Sequence, residues 1–243
     1  MTSTIPTVNS TLAVRSESAA ASHSPSPWVE FGLVAGPLFL VASLVQALLR
    51  PGFDLTHNAA SLLSLGKLGW IQDLNFAAAG VLSLCGAIGV RRALNGSVGG
   101  LWISRLLGIV GVGLGAAAFF HPDPSDGFPP GTSLHASAVS HWHGVMHLVC
   151  GSAAFLSLIV ACFVFGRRFS RSGDRKWSTF SRAAGILFSL ALAMSGGHDG
   201  SVILFVGVTI GWLTVTACIL HAVRSERASE WTTRMALGAD IDA

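Results

Sequence analysis

The stretch Ser140-His141-Trp142-His143-Gly144-Val145-Met146-His147 places three imidazoles close together, two of them four residues apart. At about 100° per residue, His143 and His147 stand only about 40° apart on a helix, one turn up the same face. Two imidazoles in that relation can share one metal ion, as helical zinc sites do. The glutamate of H-E-x-x-H is missing, so the metalloprotease helix is not supported. Gly144, Gly151 and Ala154 continue the same side and turn it toward neighbouring helices, while His141 points elsewhere. Interfacial histidines that simply hydrogen-bond within a bundle would show the same pattern.

Two further segments carry imidazole and carboxylate together. His198-Asp199 sits between two apolar runs, flanked by Gly196, Gly197 and Gly200. A histidine beside an aspartate can supply a ligand plus a base or an orienting group; the plain alternative is a polar turn whose aspartate caps a helix. His121-Pro122-Asp123-Pro124-Ser125-Asp126-Gly127-Phe128-Pro129-Pro130 contains too many prolines for a helix and reads as a stiff loop, either a lid or a connector. The metal set these segments allow is His143, His147 and a third ligand from His198, His57 or His121. Zinc held there would lower the pKa of a bound water, with Asp199 or Asp123 as general base.

The elements that must position these residues are membrane helices. Of 243 residues, 51% are hydrophobic and only 11% charged, with a mean hydropathy of +0.61; soluble domains carry about 25% charged residues. This excludes a water-soluble enzyme, a disordered chain and a disulfide-stapled secreted module. The net charge of +3 is too small and scattered for a nucleic-acid binder. Cys85, Cys150, Cys162 and Cys218 form no C-x-x-C pair and read as small hydrophobes within apolar runs.

Six runs are long enough to cross a bilayer, near 28–49, 72–93, 101–120, 141–165, 180–197 and 201–222. Lipid offers no hydrogen bonds to the backbone, so each must be helical. The expected fold is an all-α bundle of six transmembrane helices over 28–222. A polar tail over 1–27 is expected to be disordered, and a C-terminal tail over 223–243 has room for a short amphipathic helix. The last two runs form an antiparallel hairpin. Gly111 and Gly115, at G-x-x-x-G spacing, predict close helix packing in the third span.

Thirteen of the 15 Lys and Arg residues fall on one side of this topology, leaving Arg50 and Lys67 on the other. The positive-inside rule then predicts cytoplasmic termini in a multi-pass cell-membrane protein. Histidine runs the opposite way: His57, His121, His135, His141, His143, His147 and His198 share the outer face with Asp54, Asp73, Asp123, Asp126 and Asp199.

The outer loops also carry a resemblance. Phe53-Asp54, His57, Ser61, Gly69-Trp70, Gln72, Asn75-Phe76, Pro122-Asp123-Pro124 and His135 fit the pattern of the bacterial six-span membrane family DUF998, a domain of unknown function. The Gly-Trp-x-Gln…Asn-Phe opening of the second span is its most specific part, and Leu62 stands where that pattern has an acidic residue. The resemblance covers roughly 28–222. It implies a fold and a membrane location, and no established activity.

The leading functional expectation is therefore a metal-dependent hydrolase acting on a lipid-type substrate at the outer leaflet. The other class is non-enzymatic: a transporter of a neutral solute, a haem protein with paired axial histidines, or a pH or ligand sensor. Ion or proton pumping is disfavoured, because the charged groups of the spans lie near their ends while the interiors offer Ser43, Gln46, Asn75 and Ser189.

Overall fold

The apolar runs become six helices, each long and apolar enough to cross a membrane. The structure, a computed structural model, describes residues 26–136, 140–196 and 199–239. The helices are α1 (Pro27–Leu49), α2 (Gly69–Ala93), α3 (Gly100–Ala117), α4 (Trp142–Arg171), α5 (Arg175–Met194) and α6 (Gly200–Ala239), with a 3-10 turn over Ala60–Ser64 before α2. Among the described residues there is no strand. Consecutive helices pack side by side, and α6 closes the ring by packing on both α1 and α4. Apolar side chains turned outward, such as Val41, Leu48, Val112 and Leu190, give the bundle the surface that lipid requires.

Several helices outrun their apolar cores. α4 continues through Arg167, Arg168 and Arg171, then stops at Gly173, which adopts φ +80°. One residue later, the Asp174 carboxylate accepts from the Trp177 backbone N–H at 3.2 Å and starts α5. The ladder of backbone hydrogen bonds does not require apolar side chains, so α6 likewise runs unbroken to Ala239.

Close approach sets the packing. A Cβ at Gly80 of α2 would lie 2.8 Å from the Gly111 carbonyl oxygen and 2.9 Å from the Gly115 nitrogen of α3, so the G-x-x-x-G face does seat a neighbouring backbone. Beneath these seams, Trp212, Phe165, Phe188, Leu114 and Leu158 form the buried core. All four cysteines are free thiols; Cys162 and Cys218 are buried in the core, while Cys85 and Cys150 are half-buried.

Tryptophans mark the two ends. Trp28, Trp102 and Trp177 begin α1, α3 and α5 at the basic end, while Trp70 and Trp142 begin α2 and α4 at the histidine-rich end. Arg92 lies over Trp28 at 5.7 Å and Arg105 over Trp102 at 5.5 Å. Amphipathic rings at both ends of an apolar belt are the expected arrangement at membrane interfaces.

Candidate functional site

At the histidine-rich end, the two histidines of the H-x-x-x-H pair meet different surroundings. His147 is buried in the second turn of α4, and its Nδ1 lies 2.6 Å from the Phe120 carbonyl oxygen, just past the end of α3. A carbonyl only accepts, so Nδ1 carries the hydrogen and donates it. Phe120 is three residues past the end of α3, so its carbonyl belongs to no helical ladder, and His147 supplies its partner. Its ring also packs edge-on against Phe76, with centroids 5.8 Å apart. In the neutral ring, Nε2 is left as an acceptor.

His143, one turn earlier, is exposed. It packs against Trp142 at 4.6 Å and stacks with His141 at 6.2 Å.

Asp123 holds that first turn. Its Oδ2 accepts from the backbone N–H groups of Ser140 at 2.7 Å and His141 at 2.9 Å, and its Oδ1 pairs with His141 Nδ1 at 2.8 Å. The N–H of Ser140, followed by that of His141, holds the carboxyl well below its ordinary range, at about 2. A carboxylate at a helix start is favoured by the unsatisfied N–H groups there. A group held so low is a weak base at neutral pH.

The other candidates are spread around the rim. His121 pairs through Nε2 with Asp73 Oδ2 at 3.1 Å, joining the end of α3 to the start of α2. His57 is exposed, and its carbonyl oxygen accepts from Ser201 Oγ at 2.9 Å. Asp199, with φ +59°, precedes α6, and its carbonyl accepts from Ile203 N–H at 3.2 Å. His198 lies outside the described residues. Among the described residues, no three His, Cys, Asp or Glu side chains gather into a group able to hold a metal ion. The donor set that is described therefore supplies one well-oriented imidazole, His147, without two companions.

What surrounds His147 is a cavity. Its volume is about 210 Å³, and Phe39, Phe76, Phe155 and Phe205 line it together with His147. Residues Ala59 to Ser61, at the start of the 3-10 turn, also line it. Hydroxyls come from Ser61, Ser152, Ser195 and Ser201. The Ser195 hydroxyl donates to the Leu192 carbonyl and that of Ser201 to the His57 carbonyl, so each retains acceptor capacity.

A polar cluster joins the halves of α1 and α2 nearer the histidine-rich end. Asn75 Nδ2 donates to the Phe39 carbonyl and to Ser43 Oγ, both at 3.1 Å. Gln46 Nε2 donates to Gln72 Oε1 at 2.7 Å, and Gln72 Nε2 to Ser43 Oγ at 3.1 Å. Such amide pairs bind helices together where water is scarce. They also fix the backbone that carries Phe39 and Phe76 to the cavity wall. Sequence reasoning passed over the serines and this cluster as site residues. Their signal was a set of isolated polar residues in apolar runs, which acquires meaning only when the helices are brought together.

The comparisons with known proteins agree with this architecture. No curated protein and no solved structure matches the chain. A family model described as "Protein of unknown function (DUF998)" matches residues 33–223, from Leu33 of α1 through α5 and into α6 as far as Val223. With the six spans, the loop motifs at the histidine-rich end and this match over most of its length, the chain belongs to the DUF998 family of membrane proteins.

Proposed function

We propose that this protein binds an amphipathic, lipid-type molecule at its histidine-rich end, with an apolar chain in the cavity and a polar group at His147 and the nearby serines. The carrying observation is the cavity itself: aromatic walls, one imidazole and several hydroxyls in about 210 Å³. Ligand sites are mostly apolar, with a few convergent polar groups that fix orientation. The volume lies below the roughly 300 Å³ at which sites for whole drug-sized molecules begin, so it suits a chain segment whose remainder lies in the bilayer. The basic asymmetry supports an arrangement with cytoplasmic termini and the cavity on the extracytoplasmic side of the cell membrane.

The test is capture of a photoreactive fatty acid by the detergent-purified protein. Wild type should be labelled on residues lining the cavity, and Gly151→Leu should not. Gly151 lines the cavity, and a Cβ at that position would meet no atom within 4 Å, so the new side chain can fill space without a clash. Equal labelling of both proteins would remove the proposal.

A second reading keeps metal-dependent hydrolysis of a lipid-type substrate at the same face. It is favoured by His147, whose Nδ1–H is anchored on a carbonyl as metal-bound histidines usually are. Zinc would then need His143 and His147 with His198, His57 or His121, and Asp199 as base, since Asp123 is committed to the start of α4. Element analysis of purified protein separates the readings: one zinc per chain that disappears in His147→Ala supports hydrolysis, and its absence from the wild type supports plain binding.

A further inference from the structure

The opposite, basic end carries a different feature. Three arginines close α4, and they have unlike environments. Arg168 is buried and fully engaged: it donates to Ser97 Oγ at 2.7 Å, to the Val98 carbonyl at 2.8 Å, and pairs with Glu226. Arg167 and Arg171 are exposed, and both line a groove of about 410 Å³ between α3 and α4. Trp102, Val160 and Val164 form its apolar part. Among the described residues, neither arginine has a hydrogen-bonding or ionic partner. The two are four apart on one helix, so their guanidinium groups reach the same side.

We propose that this groove binds an anionic phospholipid, with the headgroup phosphate on Arg167 and Arg171 and an acyl chain along Val164, Val160 and the Trp102 ring. Three observations commit it to a lipid. The cations stand at the end of the groove marked by interfacial Trp102 and Arg105, where headgroups lie. From Arg171 to Val160 the helix rises roughly 16 Å, about half the thickness of the hydrocarbon core and so one leaflet. The lining between is apolar, which a free anion would not use. Basic pockets between helices are a recurring form of anionic-lipid recognition, and the planar fork of arginine suits phosphate.

The experiment reads lipid retention by native mass spectrometry of the full chain, purified from mixed vesicles of phosphatidylglycerol and phosphatidylcholine. Wild type should retain phosphatidylglycerol preferentially. Arg167→Gln with Arg171→Gln should lower that retention about tenfold or more, since both cations that face the phosphate are then gone. Arg167→Lys with Arg171→Lys, which keeps the charge, should fall between the two, and it provides the comparison if the glutamine variant does not fold. Equal retention of the two lipids by wild type would overturn the proposal, as would unchanged retention in a folded glutamine variant. Displacement of the lipid by inorganic phosphate alone would also overturn it, because the site would then recognise the anion without the chain.

Discussion

Asp123 and Gly144 occupy one another's space: a Cβ on residue 144 would lie 2.8 Å from the Asp123 carboxyl carbon and closer still to Oδ2. The carboxylate reaches the N–H groups at the start of α4 because residue 144, in the first turn, has no side chain. A proline-rich loop and a helix start are thereby locked together.

Gly144→Ala should therefore destabilise the protein, by about 1–3 kcal/mol as overpacking usually does. Thermal unfolding in detergent measures this directly. Gly108→Ala is the control, because a Cβ there meets no atom within 4 Å. It should unfold at or slightly above the wild-type temperature, as helix propensity favours alanine.

The Asp123 clamp also gives a pH signature. Its carboxyl is held at about 2 by the Ser140 and His141 N–H groups, below the ordinary value of 3.8. The ionised form is thus favoured by folding. Its contribution is fully present above the ordinary value and is lost as pH falls toward and through about 2. Asp123→Asn should lower stability at neutral pH and flatten the acid limb of the stability–pH curve. An acid limb identical to the wild type would show that the clamp is not formed.

His147 should matter through its donor. His147→Ala removes the Nδ1–H bond to the half-buried Phe120 carbonyl together with the buried imidazole ring, a loss of about 1–3 kcal/mol. Asp73→Asn, at a partly exposed ion pair with His121, should shift stability by no more than about 1 kcal/mol. Unfolding midpoints of the two variants test the ordering.

Topology can be checked with a membrane-impermeant thiol reagent. Ser133→Cys, in the exposed loop between α3 and α4, should be labelled in intact cells. Ser172→Cys, at the α4–α5 turn, should be labelled only after the membrane is opened. The reverse pattern would place the histidine-rich end in the cytoplasm.

The six helices were legible in the sequence because a lipid-spanning run announces itself over about 20 residues without any long-range information. Their ends were not. α4 runs past its apolar stretch to Arg171 and α6 to Ala239, since helical hydrogen bonding continues through polar residues. The spacing of His143 and His147 was also legible, but their unequal burial was not. That difference depends on where Asp123 pins α4 against the loop, a contact between residues 17 or more apart in sequence. The cavity was invisible for the same reason: its aromatic and serine lining comes from segments as distant as Phe39, Ser61, His147 and Phe205.

Binding of an amphipathic chain beside His147 is tested most directly by competition at the cavity. Photoreactive fatty acid should attach to residues such as Phe155 or Leu204 in wild type, and unlabelled fatty acid should suppress that attachment. Gly151→Leu, with an unchanged unfolding temperature, should abolish it. Labelling confined to the lipid-facing surface, or labelling that survives in folded Gly151→Leu, would contradict a ligand site in this cavity.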